Sequence, residues 1–169
     1  GAGVSVAVID QQPASAMTAA AFDGRSSAIA FGSRRVFDGI EAWPAMAAEA
    51  QPIEDIRVSD GDGQGGASRL FLHYDHLDLA PADNEDAPPF GYIVENRVIR
   101  RALLGRLSAL PNLQVIAPTK VVDISRDPSA VVVRLDDGRG IAAKLAIAAD
   151  GRNSPVRQAA GIRTTEWSY

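Results

Sequence analysis

Residues 148–157, Ala-Ala-Asp-Gly-Arg-Asn-Ser-Pro-Val-Arg, constrain this chain more than any other stretch. An apolar run from Leu145 to Ala149 stops at Asp150-Gly151, and a helix-like segment carrying Ser154 and Arg157 follows. Such a run reads as a buried strand that delivers a carboxylate and a flexible backbone to the mouth of a sheet. Open α/β proteins bind their ligands there. The Asp150 carboxylate suits ligand hydroxyls, and Gly151 permits close backbone approach. Arg157 suits a phosphate, or braces Asp150. An Asp-Gly turn ahead of a helix is also a common structural device, so the motif alone leaves both readings open.

The rest of the chain narrows the class. A length of 169 residues fits one domain or part of one, and 46% apolar content suits an ordinary α/β protein with a real core. Seventeen basic residues stand against 21 acidic ones, with neither sign blocked together, which argues against nucleic acid as the main partner. The absence of cysteine removes disulfides and thiolate metal sites, and it fits a reducing, cytoplasmic setting. No apolar run approaches a membrane span, and no signal peptide is visible. His73 and His76 straddle a strand end and an acidic loop with no third ligand at a suitable interval, so no metal is expected.

Periodicity predicts a buried parallel strand over 4–9 ending in Asp10, a loop over 11–21, and a helix over 26–40. Residues 53–59 and 70–74 read as strands joined by the Gly-rich turn 61–66, a hairpin. Residues 75–89 are acidic and Pro-rich, a loop. Residues 96–110 carry Val98, Ile99, Ala102, Leu103, Leu107 and Leu110 at helical spacing, with Asn96 as N-cap. Strands are predicted over 113–116, 120–125, 130–135 and 141–149, with Asp136-Asp137-Gly138 as a turn. The fold class is α/β, a parallel core interrupted by an antiparallel hairpin.

Three further residues have site chemistry. Asp10 ends a strand where a carboxylate can accept hydrogen bonds from ribose hydroxyls, or merely end the strand. Arg25 follows Asp23-Gly24, and its guanidinium fork suits a pyrophosphate; the plain alternative is a surface arginine at a turn. Arg97 opens a helix, where free N–H groups and the positive dipole end make an anion site, or it is simply exposed there. Arg34 and Arg35 read as a solvated helix face, and Trp43, Trp167 and Tyr169 as packing residues, with Tyr169 also able to begin a substrate-facing strand.

Four stretches in order carry a family resemblance: 4–10; Phe22-Asp23-Gly24-Arg25-Ser26-Ser27-Ala28; Val94-Glu95-Asn96-Arg97 with its helix; and 150–157, closing on Gly161-Ile162 and Trp167-Ser168-Tyr169. Together they resemble the FAD-dependent aromatic hydroxylases (class A flavoprotein monooxygenases), particularly the branch that hydroxylates ubiquinone precursors. The family usually has Glu where this chain has Asp10. The resemblance implies an FAD-binding, Rossmann-like parallel sheet with an inserted antiparallel hairpin of the substrate domain, and FAD and NAD(P)H as cofactors, with Asp10 on ribose and Arg25 beside the flavin. Arg97 would serve the pyrophosphate, and Asp150, Gly151 and Arg157 both nucleotides. It implies hydroxylation of a phenolic ring, a polyprenylated ubiquinone precursor first, with a small soluble phenol as the alternative. A non-catalytic binding protein on the same nucleotide fold is the other alternative. The implied partner is a small aromatic molecule, with peripheral contact to the inner membrane or a biosynthetic complex. By the same resemblance, residues 1–50 and 91–163 belong to an FAD-binding domain, 51–90 to substrate-domain strands and loop, and 164–169 to the start of a substrate-domain strand. The glycine-rich phosphate loop and the C-terminal part of the family are missing, so the expectation is a central fragment that is inactive alone. No acid or base can be named from the sequence.

Overall fold

The computed structural model describes residues 3–18, 21, 23–61, 63, 66–79 and 87–167. Phe22, Ser168 and Tyr169 of the resembling stretches lie outside the described residues, as do parts of the 61–66 turn and of the 75–89 loop. The chain divides into two compact units, Gly1–Val6 with Ala14–Gln114, and Ala7–Pro13 with Val115–Tyr169.

The first strand, β1 (Val6–Ile9), pairs with β7 (Leu113–Ile116). The Val6 N–H donates to the Asn112 carbonyl at 2.9 Å and the Asp10 N–H to the Ile116 carbonyl at 3.1 Å, so the two strands run parallel. Where the sequence suggests only loop, a short helix, α1 (Ala14–Met17), follows.

In the first unit, β2 (Ser26–Ala30) and β3 (Gln51–Ile53) flank β6 (Gly91–Glu95) in an antiparallel sheet. Residues 26–30, expected to begin a helix, are therefore a strand, and the helix α2 (Phe31–Gly39) starts only after them. The cause is tertiary: β6 offers a full ladder, from Ser26 opposite Glu95 to Ala30 opposite Gly91. The two strands approach so closely that a Cβ on Gly91 would lie 2.2 Å from the Ile29 carbonyl oxygen. The next helix, α3 (Asn96–Ser108), leaves β6 without a loop. Val98 and Ala102, one turn apart, turn inward with Ile29, Ala42, Trp43, Met46 and Val94 to form the core of this unit. Met46, Val94 and Val98 are fully buried, each contributing about 1.5–3 kcal/mol by leaving water.

Trp43 packs at 4.9 Å against Tyr92, and the Arg34 guanidinium lies over both rings, 5.2 and 5.8 Å from their centroids. Arg34 is thus a stacking residue rather than part of a solvated face, and its Nε sits 3.3 Å from Asp38. The expected hairpin is present as β4 (Asp55–Gly61) and β5 (Ala67–Asp75). Ile56 faces Tyr74 and Val58 faces Leu72 on one side; Asp55 faces Asp75 and Arg57 faces His73 on the other. His73 pairs with Asp55, and His76 Nδ1 lies 3.4 Å from Asp75, so both histidines brace the hairpin base. Among the described residues no group of three His, Cys, Asp or Glu side chains could hold a metal ion.

The second unit carries the antiparallel meander β8 (Val121–Arg126), β9 (Val131–Leu135) and β10 (Gly140–Ala143). Ile116, Val133 and Leu135 form its core, with Ile9, Ile124 and Ile141 packed against them. The last predicted strand is shorter than expected. Residues 145–149 lie outside regular structure, with Leu145 73% and Ile147 81% exposed. Trp167, expected to pack, is also exposed. The helix after Asp150-Gly151 is α4 (Pro155–Ala159). Among the described residues no helix is long and apolar enough to cross a membrane.

Candidate functional site

Two groups of polar residues stand out, one in each unit. In the first, the β2–β6 register sets Ser26 opposite Glu95, so Arg25 meets the start of α3. The Asn96 N–H donates to the Arg25 carbonyl at 3.1 Å, and the Ser27 hydroxyl donates to Asn96 Oδ1 at 2.7 Å. Asn96 is therefore the first helical residue and not the N-cap; Glu95 holds the cap position without a side-chain cap bond. Arg25 and Arg97, 72 residues apart in sequence, are brought to the same strand–helix junction. Arg97 Nε is ion-paired with Glu95, so an anion arriving at this helix end shares Arg97 with that carboxylate.

The turn that precedes Arg25 is built on Asp23. Its Oδ1 accepts the Arg25 N–H at 3.1 Å, while its Oδ2 accepts from Arg100 Nη2 at 2.9 Å. That guanidinium, more than any other cause, holds the Asp23 carboxyl below its ordinary value; the Arg25 N–H adds to the effect. Gly24, at φ +75°, lets the turn close with open space where a side chain would stand. The Arg25 side chain is exposed. Arg100 is the member of this group that sequence reasoning missed. The available signal was its position four residues after Asn96, which puts both polar side chains on one stretch of helix surface.

In the second unit, Gly151 takes φ +86°, and the Ser154 N–H donates back to its carbonyl at 3.2 Å. Ser154 is buried and caps α4, its hydroxyl oxygen accepting the Arg157 N–H at 2.9 Å. Asp150 Oδ2 accepts the Val156 N–H at 3.2 Å. The Ser154 hydroxyl is the main cause that holds the Asp150 carboxyl below its ordinary value, with the Val156 N–H and the Arg157 charge adding to it. Arg157 does not grip Asp150 directly: its Nη1 donates to the Arg152 carbonyl at 2.6 Å, and its Nε is buried without a hydrogen-bond partner. Asp10 hydrogen-bonds elsewhere in this unit. Its Oδ1 accepts the Gln12 N–H at 2.8 Å and its carbonyl accepts the Thr119 N–H at 2.9 Å.

Taken separately, the first unit's group sets two guanidiniums at a helix start, a type of group that pairs with anions, and the second unit's group sets a carboxylate beside a glycine turn, a type of group that accepts from hydroxyls.

The chain is 46% identical to ubiquinone hydroxylase UbiL of Rhodospirillum rubrum over 167 residues, covering 99% of this chain and 36% of that protein. It is 31% identical to the 3-demethoxyubiquinol 3-hydroxylase of Escherichia coli over 169 residues, 99% of this chain and 40% of that one. Among solved structures, a substituted form of Pseudomonas aeruginosa PqsL shares the fold, with TM-score 0.69 and 19% identity over 99% of this chain and 42% of that one. The chain thus spans well under half the length of these relatives. The profile of the FAD binding domain family matches residues 1–168, and the chain belongs to that family.

Proposed function

We propose that the protein of which this chain forms part is an FAD-dependent monooxygenase that takes electrons from NAD(P)H and hydroxylates a phenolic ring. The proposed substrate is a polyprenylated ubiquinone precursor. The observation that carries this reading is the 46% identity to a ubiquinone hydroxylase over nearly the whole chain.

The residues present fit part of an FAD site. Gly24 and Gly151 both leave open space where a Cβ would stand, beside an exposed guanidinium and an exposed carboxylate respectively. Bound FAD supplies the redox and oxygen chemistry. This chain's own groups supply binding and orientation. Arg25 presents positive charge from the position just before β2, and Arg97 adds a guanidinium at the start of α3. The carboxylates of Asp10 and Asp150 accept from sugar or ribityl hydroxyls. The β4–β5 hairpin would serve the substrate domain, and its apolar side, with Val58, Leu72 and Tyr74 exposed, suits such a docking role. A prenylated substrate also calls for peripheral contact with a membrane surface, which liposome flotation of the intact protein would test.

The test of function is flavin absorbance of the purified full-length protein, followed by product analysis with prenylated and unprenylated phenols and with NADH and NADPH. Bound flavin and a hydroxylated prenyl-phenol are expected. Turnover of the unprenylated phenol alone would reassign the substrate. No flavin and no NAD(P)H oxidation with any phenol would overturn the enzyme reading.

A further inference from the structure

We propose that Arg100 is a positioning residue for Arg25, acting through Asp23; this rests on the reading of Arg25 as a cofactor-facing group. One guanidinium on α3 joins two segments of chain. Arg100 Nη2 donates to Asp23 Oδ2 at 2.9 Å, and its Nε donates to the Met17 carbonyl at 3.2 Å, at the end of α1. Asp23 passes the constraint on, because its other oxygen takes the Arg25 N–H at 3.1 Å. The far side of Arg25 is fixed from the same helix, its carbonyl accepting the Asn96 N–H at 3.1 Å. Asn96 and Arg100 are four residues apart on α3, so one stretch of one helix holds the Arg25 backbone from both directions.

The consequence is preorganisation. An exposed arginine on a turn with a φ +75° glycine samples many orientations unless its backbone is held. With Arg100 and Asp23 in place, the 23–27 segment is fixed before any ligand arrives, and less ordering cost remains for binding. Arg100 is held by a fork geometry, Nε to one acceptor and Nη2 to another, which lysine cannot reproduce.

The experiment uses the full-length protein with Arg25→Ala, Arg100→Ala, Arg100→Lys, Asp23→Asn and the double variant Arg25→Ala/Arg100→Ala. Amide hydrogen exchange over 23–27 in the FAD-free protein reads the constraint directly. FAD affinity by fluorescence titration and flavin reduction by NADH or NADPH read its effect. Expected are faster exchange at 23–27 in both Arg100 variants and in Asp23→Asn, with FAD affinity or reduction rate down about tenfold. The double variant should be no worse than Arg25→Ala alone, the non-additivity of residues acting as one unit. Asp23→Asn cuts the same link without touching the helix, and carries the test if Arg100→Ala does not fold. Losses that multiply in the double variant, or unchanged exchange at 23–27, would overturn the proposal while leaving the Arg25 reading intact. An Arg25→Ala protein with full FAD affinity and reduction rate would overturn that reading and the proposal with it.

Discussion

The Ser27 hydroxyl donates to Asn96 Oδ1 at 2.7 Å, tying the edge strand β2 to the first residue of α3 across 69 positions of sequence. The bond stands beside the backbone link from the Asn96 N–H to the Arg25 carbonyl, so the strand and the helix are joined twice at the place where Arg25 emerges. Replacing Ser27 with Ala leaves the half-buried Asn96 oxygen without this donor. The expected cost is about 1 kcal/mol of unfolding free energy, as for a typical partly buried hydrogen bond. Urea unfolding of the full-length protein measures it, and an unchanged midpoint would show that the backbone link alone holds the junction.

Two glycines of the same unit should respond in opposite directions. At Gly91 a Cβ would meet the Ile29 carbonyl oxygen at 2.2 Å and the Ala30 Cα at 2.9 Å, and both are backbone atoms that cannot swing aside. Gly91→Ala is expected to destabilise by about 3 kcal/mol, the upper end of ordinary overpacking, because β2 must move off β6. Gly105 lies exposed inside α3 with nothing within 4 Å. There Gly105→Ala is expected to stabilise by about 0.5–1 kcal/mol through helix propensity and lost unfolded-state entropy. Thermal melting of both variants beside the parent decides the pair; equal shifts would contradict the close approach of the strands.

How much of this was legible in the sequence depends on whether the signal was local. The helix α3 shows in the spacing of Val98, Ala102 and their neighbours, and the β4–β5 hairpin in two runs separated by glycines. The β7, β8 and β9 strands are β-branched runs and also fall where predicted. Ser26–Ala30 contains only one strong strand former, Ile29, and becomes a strand because Gly91–Glu95 lies beside it. No window of eighteen residues contains that fact. Residues 145–149 fail in the reverse direction: the composition is that of a strand, but among the described residues no strand pairs with them. For the site, Arg25 and Arg97 were visible as charges near turns and helix starts. Arg100 was not, since its partner Asp23 is 77 residues away and only the β2–β6 register brings them together.

The α4 cap offers a separate test in the second unit. Ser154 is 5% exposed and accepts the Arg157 N–H at 2.9 Å, with Pro155 at the first helical position. Ser154→Ala removes the cap and also the main hydrogen bond that favours ionised Asp150. The loss expected from the cap is about 1 kcal/mol. Ser154→Thr, which keeps a hydroxyl, should restore part of it. Equal losses for Ala and Thr would assign the effect to packing around this buried position rather than to the cap.

Asp150 itself makes stability depend on pH, with a definite sign. Its carboxyl is held below the ordinary value first by the Ser154 hydroxyl, then by the Val156 N–H and the Arg157 charge. A group whose value is lower folded than unfolded adds stability in its ionised form, fully present above the unfolded value of about 4. That stability is lost as pH falls from there through the lowered folded value, because the unfolded chain takes up the proton first. Asp150→Asn keeps an acceptor for the Val156 N–H but has no charge to titrate. The stability gap between parent and variant should therefore be largest near neutral pH and close as the pH is lowered toward 3. Urea unfolding at a series of pH values measures the gap. A gap that stays constant across the series would mean that the Ser154–Asp150 bond does not favour the carboxylate over the acid, and that Asp150 is only a neutral turn acceptor.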